Sequence, residues 1–273
     1  VPALSEIVRI AEAAGVRILE VYNGADFEVE RKADDSPLTL ADRRAHELIE
    51  QELIALAPDI QVLSEESTAL PFAQRREWQR YWLVDPLDGT KEFISRNGEF
   101  TVNIALIEDG RATLGVVHVP VTGVTYFGSL GGEAGRDSAG AWKSAGGDIK
   151  PIAVRELGAS EVRVVASRRH RGERLDEMLR AIESSSGLED VVSIGSSLKM
   201  CLVAEGAADV YPRLAPTSEW DTAAAHAVLV AAGGEIVDLK FSPLRYNQKD
   251  CLLNPEFIAL GDRSVDWRKL LGL

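Results

Sequence analysis

The chain has 273 residues, 45% of them hydrophobic, and its 30 basic against 43 acidic side chains give a formal charge of −13. That length supports one large domain or two modest ones, and no apolar run approaches the roughly 18 residues a bilayer span needs. The acidic balance disfavours nucleic-acid polymers, which are held by neutralising phosphates with Lys and Arg, but it leaves open an anionic small molecule reached through bound cations.

The first predicted element runs from Ala3 to Tyr22. Val8, Ala11, Gly15, Ile18 and Tyr22 recur at helical spacing, and Glu6, Arg9, Glu12, Arg17 and Glu20 interrupt them, as in an amphipathic helix and unlike a signal peptide. A second helix is expected from about Thr39 to Leu56, ending before Pro58. Asp42 follows Thr39 by three residues, a variant of the capping box at a helix start. Residues 61–64 and 81–84 read as short strands, each leading straight into acidic residues. Val102, Ile104 and Leu106 alternate, Glu108-Asp109-Gly110 makes a turn, and 113–119 returns, with further short strands between Gly123 and Trp142.

After Pro151 the rhythm changes to strand 162–166, helix 173–183, strand 191–194, helix 198–205, strand 210–211, helix 222–232 and strand 235–237. Gly233-Gly234 stops the last of those helices. Two units follow, an α+β unit over 1–155 and an α/β unit over 156–273. Two cysteines make no disulfide framework and lack metal-ligand spacing. Cys201, in the apolar run 200–203, reads as a buried thiol, and a reducing, cytoplasmic setting follows.

The segment Asp85-Pro86-Leu87-Asp88-Gly89-Thr90 carries the most chemistry. The strand delivers Asp85, Pro86 keeps it extended, and a sharp turn with Gly89 free to adopt unusual dihedrals aims Asp85 and Asp88 into one volume. Such hard oxygen ligands suit Mg²⁺, and a cation resolves the repulsion of two adjacent carboxylates. Free N–H groups at Gly89 and Thr90 would hold phosphate. Glu65-Glu66 follows the strand at 61–64, where paired carboxylates are costly unless solvated or ligated. Asp221, in Trp220-Asp221-Thr222, fits a first-turn capping residue as well as a ligand.

Glu65-Glu66, Asp85–Thr90 and Trp220-Asp221 together resemble the signatures of the inositol monophosphatase superfamily of lithium-sensitive, magnesium-dependent phosphatases. The segments 32–39, 81–85, 91–94, 97–104, 195–199, 201–206, 211–213 and 253–255 resemble one branch of it, the bacterial 3′(2′),5′-bisphosphate nucleotidases. The likeness runs from Lys32 to about Pro255 and implies the layered αβαβα fold of that family.

The resemblance also implies roles. Glu65, Asp85 and the Leu87 carbonyl would bind one Mg²⁺; Asp85, Asp88 and Asp221 would bind a second; a third, looser ion would sit near Glu65. Thr90 and Asp42 would orient and deprotonate the attacking water, and Asp88 joins them at the reacting centre. Glu65, Asp88, Gly89, Thr90 and Asp221 would face the substrate phosphate, while Ser196, Lys199 and Arg213 match positions that contact the nucleotide or its other phosphate. Ser196 also reads as a helix cap and Lys199 as a solvated face. Ser167-Arg168-Arg169-His170 reads equally as phosphate contacts or as an ordinary basic loop. The implied reaction is hydrolysis of the 3′-phosphate of adenosine 3′,5′-bisphosphate to AMP, with 3′-phosphoadenylyl sulfate as a second substrate. Inositol monophosphate and fructose 1,6-bisphosphate are the rival substrates, and the resemblance leaves room for a peripheral place on the cytoplasmic face of the inner membrane.

Overall fold

The two helices that the apolar spacing predicts form as α1 (Leu4–Tyr22) and α2 (Leu40–Leu56), with a short hairpin, β1 (Glu30–Arg31) and β2 (Pro37–Leu38), between them. This computed structural model describes residues 2–24, 29–31, 37–67, 70–131, 139–166 and 172–273; the expected basic contacts at 167–170 lie outside them. The capping box at the start of α2 is present. Thr39 accepts the Ala41 N–H at 3.2 Å, and its own N–H reaches the Asp42 carboxylate at 2.7 Å.

β3 (Gln61–Ser64), α3 (Phe72–Arg75), β4 (Arg80–Asp88) and α4 (Thr90–Ile94) lead into a meander of β5 (Thr101–Glu108), β6 (Arg111–Val119), β7 (Val124–Ser129), β8 (Gly140–Ala145) and β9 (Asp148–Ile152). Strands β3 to β9 form one sheet in sequence order, parallel between β3 and β4 and antiparallel thereafter. The expected Asp109-Gly110 turn forms with both residues at positive φ, 48° and 72°, matching the twist of a two-residue hairpin. β9 was not expected. It is an exposed edge strand whose Lys150 and Pro151 replace apolar alternation and discourage pairing with another chain.

β10 (Val162–Ala166), α5 (Glu173–Ser185), β11 (Leu188–Ser193), α6 (Leu198–Ala204), β12 (Val210–Arg213), α7 (Trp220–Ala231), β13 (Glu235–Asp238), β14 (Phe257–Leu260) and α8 (Trp267–Leu271) complete the chain. Their strands form a second sheet ordered β11-β10-β12-β14-β13. β10 to β12 are parallel, as the alternation of strand and helix requires, and β14 is antiparallel to both its neighbours.

Five layers result. In β5, Val102, Ile104 and Leu106 pack with α1 and α2, whereas Ala105 and Ile107 pack on the other face with α6 and α7. Those two helices also meet Tyr211, Phe257 and Ala259 of the second sheet. Its far face, with Val164, Val210 and Ile258, packs on α5 and α8. α7 is therefore buried all round, as its run of alanines permits. It approaches β6 so closely that a Cβ on Gly115 would lie 2.1 Å from the Ala224 carbonyl. No helix among the described residues is long and apolar enough to cross a membrane. Both cysteines are free thiols, Cys201 buried and Cys251 exposed.

Candidate active site

Asp85 and Asp88 are three residues apart, so a regular strand would send them to opposite faces. The pairing of β4 with β5 slips between them: Asp85 lies opposite Asn103, but Asp88 lies opposite Thr101. Pro86, with no N–H to give the ladder, sits in this bulge. The extra residue brings Asp88 round to the side of Asp85, which faces α7. The sequence predicted a sharp turn at 86–89; instead the strand continues through Asp88, because the bulge alone re-aims the side chain. The chain reverses at Gly89 (φ 97°), where a Cβ would meet the Glu99 carbonyl at 3.3 Å.

Asp221 arrives from the first turn of α7, and its Oδ2 accepts the Ser218 N–H at 2.8 Å. It thus stabilises a helix start and faces β4 at once. Ligand oxygens of Asp85, Asp88 and Asp221 all lie within 4.8 Å of one another. Asp85 is almost completely buried and also accepts the Leu87 N–H at 3.0 Å.

The electrostatics match that crowding. Burial, then the charges of Glu65, Asp88 and Asp221, hold the Asp85 carboxyl well above the usual carboxylate range. Asp221 is raised by burial and then by Asp88 and Glu65. Asp88 is pushed up to about 6 by burial, against the pull of Lys199 and the Ser197 N–H. Glu65 sits just past β3, where its N–H donates to the Val84 carbonyl at 3.0 Å, so its charge enters the cluster from a third part of the chain. Crowded carboxylates that repel one another, buried at Asp85 and partly exposed at Asp88 and Asp221, with no nitrogen or sulfur ligand among them, fit a hard divalent cation.

Asp42 stands beside this cluster, 2% exposed. Its Oδ2 accepts the Thr39 N–H at 2.7 Å and the Thr39 hydroxyl at 2.5 Å, and its Oδ1 faces the Thr90 hydroxyl at 3.3 Å. Burial pushes Asp42 up to about 6, opposed by the two Thr39 donors. The Thr90 hydroxyl is also 3.4 Å from the Leu87 carbonyl.

Asp88, Gly89, Ser196, Lys199, Arg213 and Asp221 all line one cavity of about 420 Å³, with Tyr211 and Phe257 on its wall. Glu65, Asp85, Leu87, Asp42 and Thr90 are not on that wall. Lys199 is not on a solvated face. It is 7% exposed, with Nζ donating to the Ile194 and Ser196 carbonyls at 3.2 and 2.5 Å and lying 5.6 Å from the centre of the Tyr211 ring. Nor does Ser196 cap α6, because Ser197 occupies that position. Ser196 has φ 49°, and its Oγ is buried without a hydrogen-bond partner among the described residues, a combination typical of functional sites. Arg213 braces the following loop, with Nε and Nη2 each 3.0 Å from the carbonyls of Ala215 and Pro216.

Sequence reasoning missed a buried network behind Asp221. Arg75 of α3 is 1% exposed and donates to Asn247 Oδ1 and to the Lys249 and Asp250 carbonyls. Asn247 in turn gives its N–H to Glu219 at 2.8 Å, at the foot of α7. Burial raises Glu219 to about 7, against the Asn247 N–H and the Arg75 charge. Arg75→Ala should therefore cost about 3 kcal/mol, because it leaves Asn247 Oδ1 and the carbonyls of Lys249 and Asp250 without their buried donor. A urea unfolding midpoint measures this; a loss under about 1 kcal/mol, the scale of a surface pair, would refute it.

The sequence profile of the inositol monophosphatase family matches residues 2–264. The chain belongs to that family. It is 51% identical over 255 residues to the 3′(2′),5′-bisphosphate nucleotidase CysQ of Salmonella typhimurium, covering 93% of this chain and 98% of that protein. It is 36% identical over 268 residues to the protein of the same name from Haemophilus influenzae, covering 98% of this chain and 96% of that one. Among solved structures, CysQ from Bacteroides thetaiotaomicron superposes with a TM-score of 0.80 at 42% identity, over 95% of this chain and 97% of that one. The extragenic suppressor protein suhB of Bartonella henselae shares the fold at 23% identity, with a TM-score of 0.76 over 98% of this chain and 96% of that one.

Proposed function

We propose that this protein is a magnesium-dependent phosphatase that removes the 3′-phosphate of adenosine 3′,5′-bisphosphate to give AMP and phosphate, and acts likewise on 3′-phosphoadenylyl sulfate. The observation that carries the reading is the convergence of Asp85, Asp88 and Asp221 within 4.8 Å at the end of a cavity that also holds Lys199 and Arg213. Half identity to a bisphosphate nucleotidase over nearly the whole chain supports the choice of substrate.

Glu65, Asp85, the Leu87 carbonyl, Asp88 and Asp221 are the groups that would hold two or three Mg²⁺ ions. Bound there, Mg²⁺ supplies charge that acidifies water and neutralises the phosphoryl oxygens during in-line attack. The Thr90 hydroxyl passes its proton toward Asp42 and offers its oxygen to the attacking water, which it orients. Ser196 offers an unpartnered hydroxyl to the substrate, and Lys199 and Arg213 supply positive charge for the phosphate that stays. Tyr211 and Phe257, packed edge to face and almost wholly buried, back that wall of the cavity. Residues 1–155 thus carry most of the metal ligands, and 156–273 supply Asp221 and the nucleotide site. Two free thiols fit a reducing, cytoplasmic setting.

Phosphate release with Mg²⁺ tests the reading, comparing adenosine 3′,5′-bisphosphate with inositol 1-phosphate and fructose 1,6-bisphosphate. The nucleotide is expected to have the highest kcat/KM. No release from it, or faster turnover of inositol 1-phosphate, would sink the assignment.

A further inference from the structure

Ser197 is absent from the roles that the family resemblance implies, yet it makes more contacts at the cluster than Ser196 beside it. It is 2% exposed. Its N–H donates to Asp88 Oδ2 at 2.6 Å, and its hydroxyl donates to Asn103 Oδ1 at 2.8 Å. With that proton committed, the 3.0 Å contact between the Ser197 and Thr101 hydroxyls runs from Thr101 to Ser197, and the Thr101 hydroxyl also stands 3.5 Å from Asp88 Oδ2. Thr101 and Asn103 are the residues of β5 directly opposite Asp88 and Asp85, and both are fully buried. Ser197 therefore bolts the start of α6 onto the strand that faces two members of the acidic cluster.

The same short loop is tied down on its other side. Gly195 gives its N–H to Glu99 at 2.8 Å, and Lys199 holds the carbonyls of Ile194 and Ser196. One oxygen of Asp88 is thus taken by a backbone N–H whose position depends on the Ser197 hydroxyl, and the carboxylate cannot rotate without breaking that bond. We propose that Ser197 is a positioning residue: its hydroxyl, held by Thr101 and Asn103, fixes the orientation in which Asp88 meets a divalent cation and joins the Ser196 wall of the cavity to the cluster. This rests on the reading of Asp88 as a metal ligand. Partners that orient a ligand in this way typically change metal affinity by about 10–100-fold when removed.

The test is Mn²⁺ binding followed by electron paramagnetic resonance on the whole purified chain, which needs no turnover. Ser197→Ala keeps the N–H but deletes the hydroxyl, and is expected to weaken Mn²⁺ binding at least about tenfold. Thr101→Val, which keeps volume and shape, should weaken it in the same direction, and Thr101→Ser should restore it. The double variant Ser197→Ala/Thr101→Val should be less than additive, as for one network. Wild-type affinity in Ser197→Ala would overturn the proposal while leaving the metal reading intact, even if the variant were less stable. Should Ser197→Ala fail to fold, wild-type affinity in Thr101→Val overturns it. Absence of Mn²⁺ binding by the unmodified protein would instead remove the metal reading itself.

Discussion

Asp221→Asn should lower phosphate release at least about a hundredfold, the upper end of what is lost with a mere orienting partner of a ligand, and yet make the metal-free protein harder to unfold. The two effects share one cause. Asp221 stands within 4.8 Å of two other carboxylate ligand atoms, and each like-charged pair at that distance costs about 3 kcal/mol at an effective dielectric near 20. Burial first, and this repulsion after it, hold Asp85 and Asp221 well above the ordinary carboxylate range. Asparagine keeps the size and an acceptor for the Ser218 N–H, so the start of α7 survives. It removes one charge and with it repulsion toward both neighbours, up to about 6 kcal/mol for two pairs at that dielectric. Urea unfolding in EDTA would show this gain, and repeating it with Mg²⁺ would show the converse. The wild type gains stability from ligand mass action, and the variant loses most of that gain. Full turnover by Asp221→Asn would mean that the cluster is misassigned. A variant no more stable than wild type in EDTA would mean that the carboxylates do not repel as placed.

Much of this site is legible in the chain because it is built from local chemistry. Asp85–Thr90 follows a strand, Thr39 and Asp42 announce a helix start, and Trp220-Asp221 opens another. What the residues do not reveal is geometry set by partners far away. Asp88 reaches the side of Asp85 through a bulge, and a period-2 pattern contains no signal for one; Pro86 is the only hint. Ser196 and Ser197 look alike in sequence, and what separates them is a positive φ at one and a cross-sheet pair of partners, 94 and 96 residues away, at the other. Arg75 reads as one more surface cation until Asn247, 172 residues later, is seen to receive it. The same reason explains the unexpected β14, which inserts between β12 and β13 through long-range pairing rather than through any rhythm of its own.

Thr90→Ala is expected to reduce kcat by about 10²–10⁴-fold, the range for losing a positioned proton-transfer partner, with little change in KM. The Thr90 hydroxyl has one proton and two acceptors in reach, Asp42 Oδ1 at 3.3 Å and the Leu87 carbonyl at 3.4 Å. Burial favours donation to the carboxylate, since Asp42 Oδ2 already takes two donors from Thr39 and Oδ1 would otherwise have weaker company. With its proton directed to Asp42, the Thr90 oxygen can only accept, which is what orienting a water requires. Asp42, near 6, is also placed to take a proton at neutral pH. Thr90→Ala keeps the backbone N–H that would face the phosphate and deletes only the hydroxyl that acts on the water, so substrate affinity should be nearly untouched. Thr90→Ser preserves the hydroxyl and should keep most of the rate, whereas Thr90→Val preserves the shape and should not. A role confined to opening α4 would give the opposite pattern: loss of stability in Thr90→Ala and Thr90→Val, with kcat close to wild type in whatever remains folded. Steady-state kinetics on the folded fraction of the three variants separates the two roles.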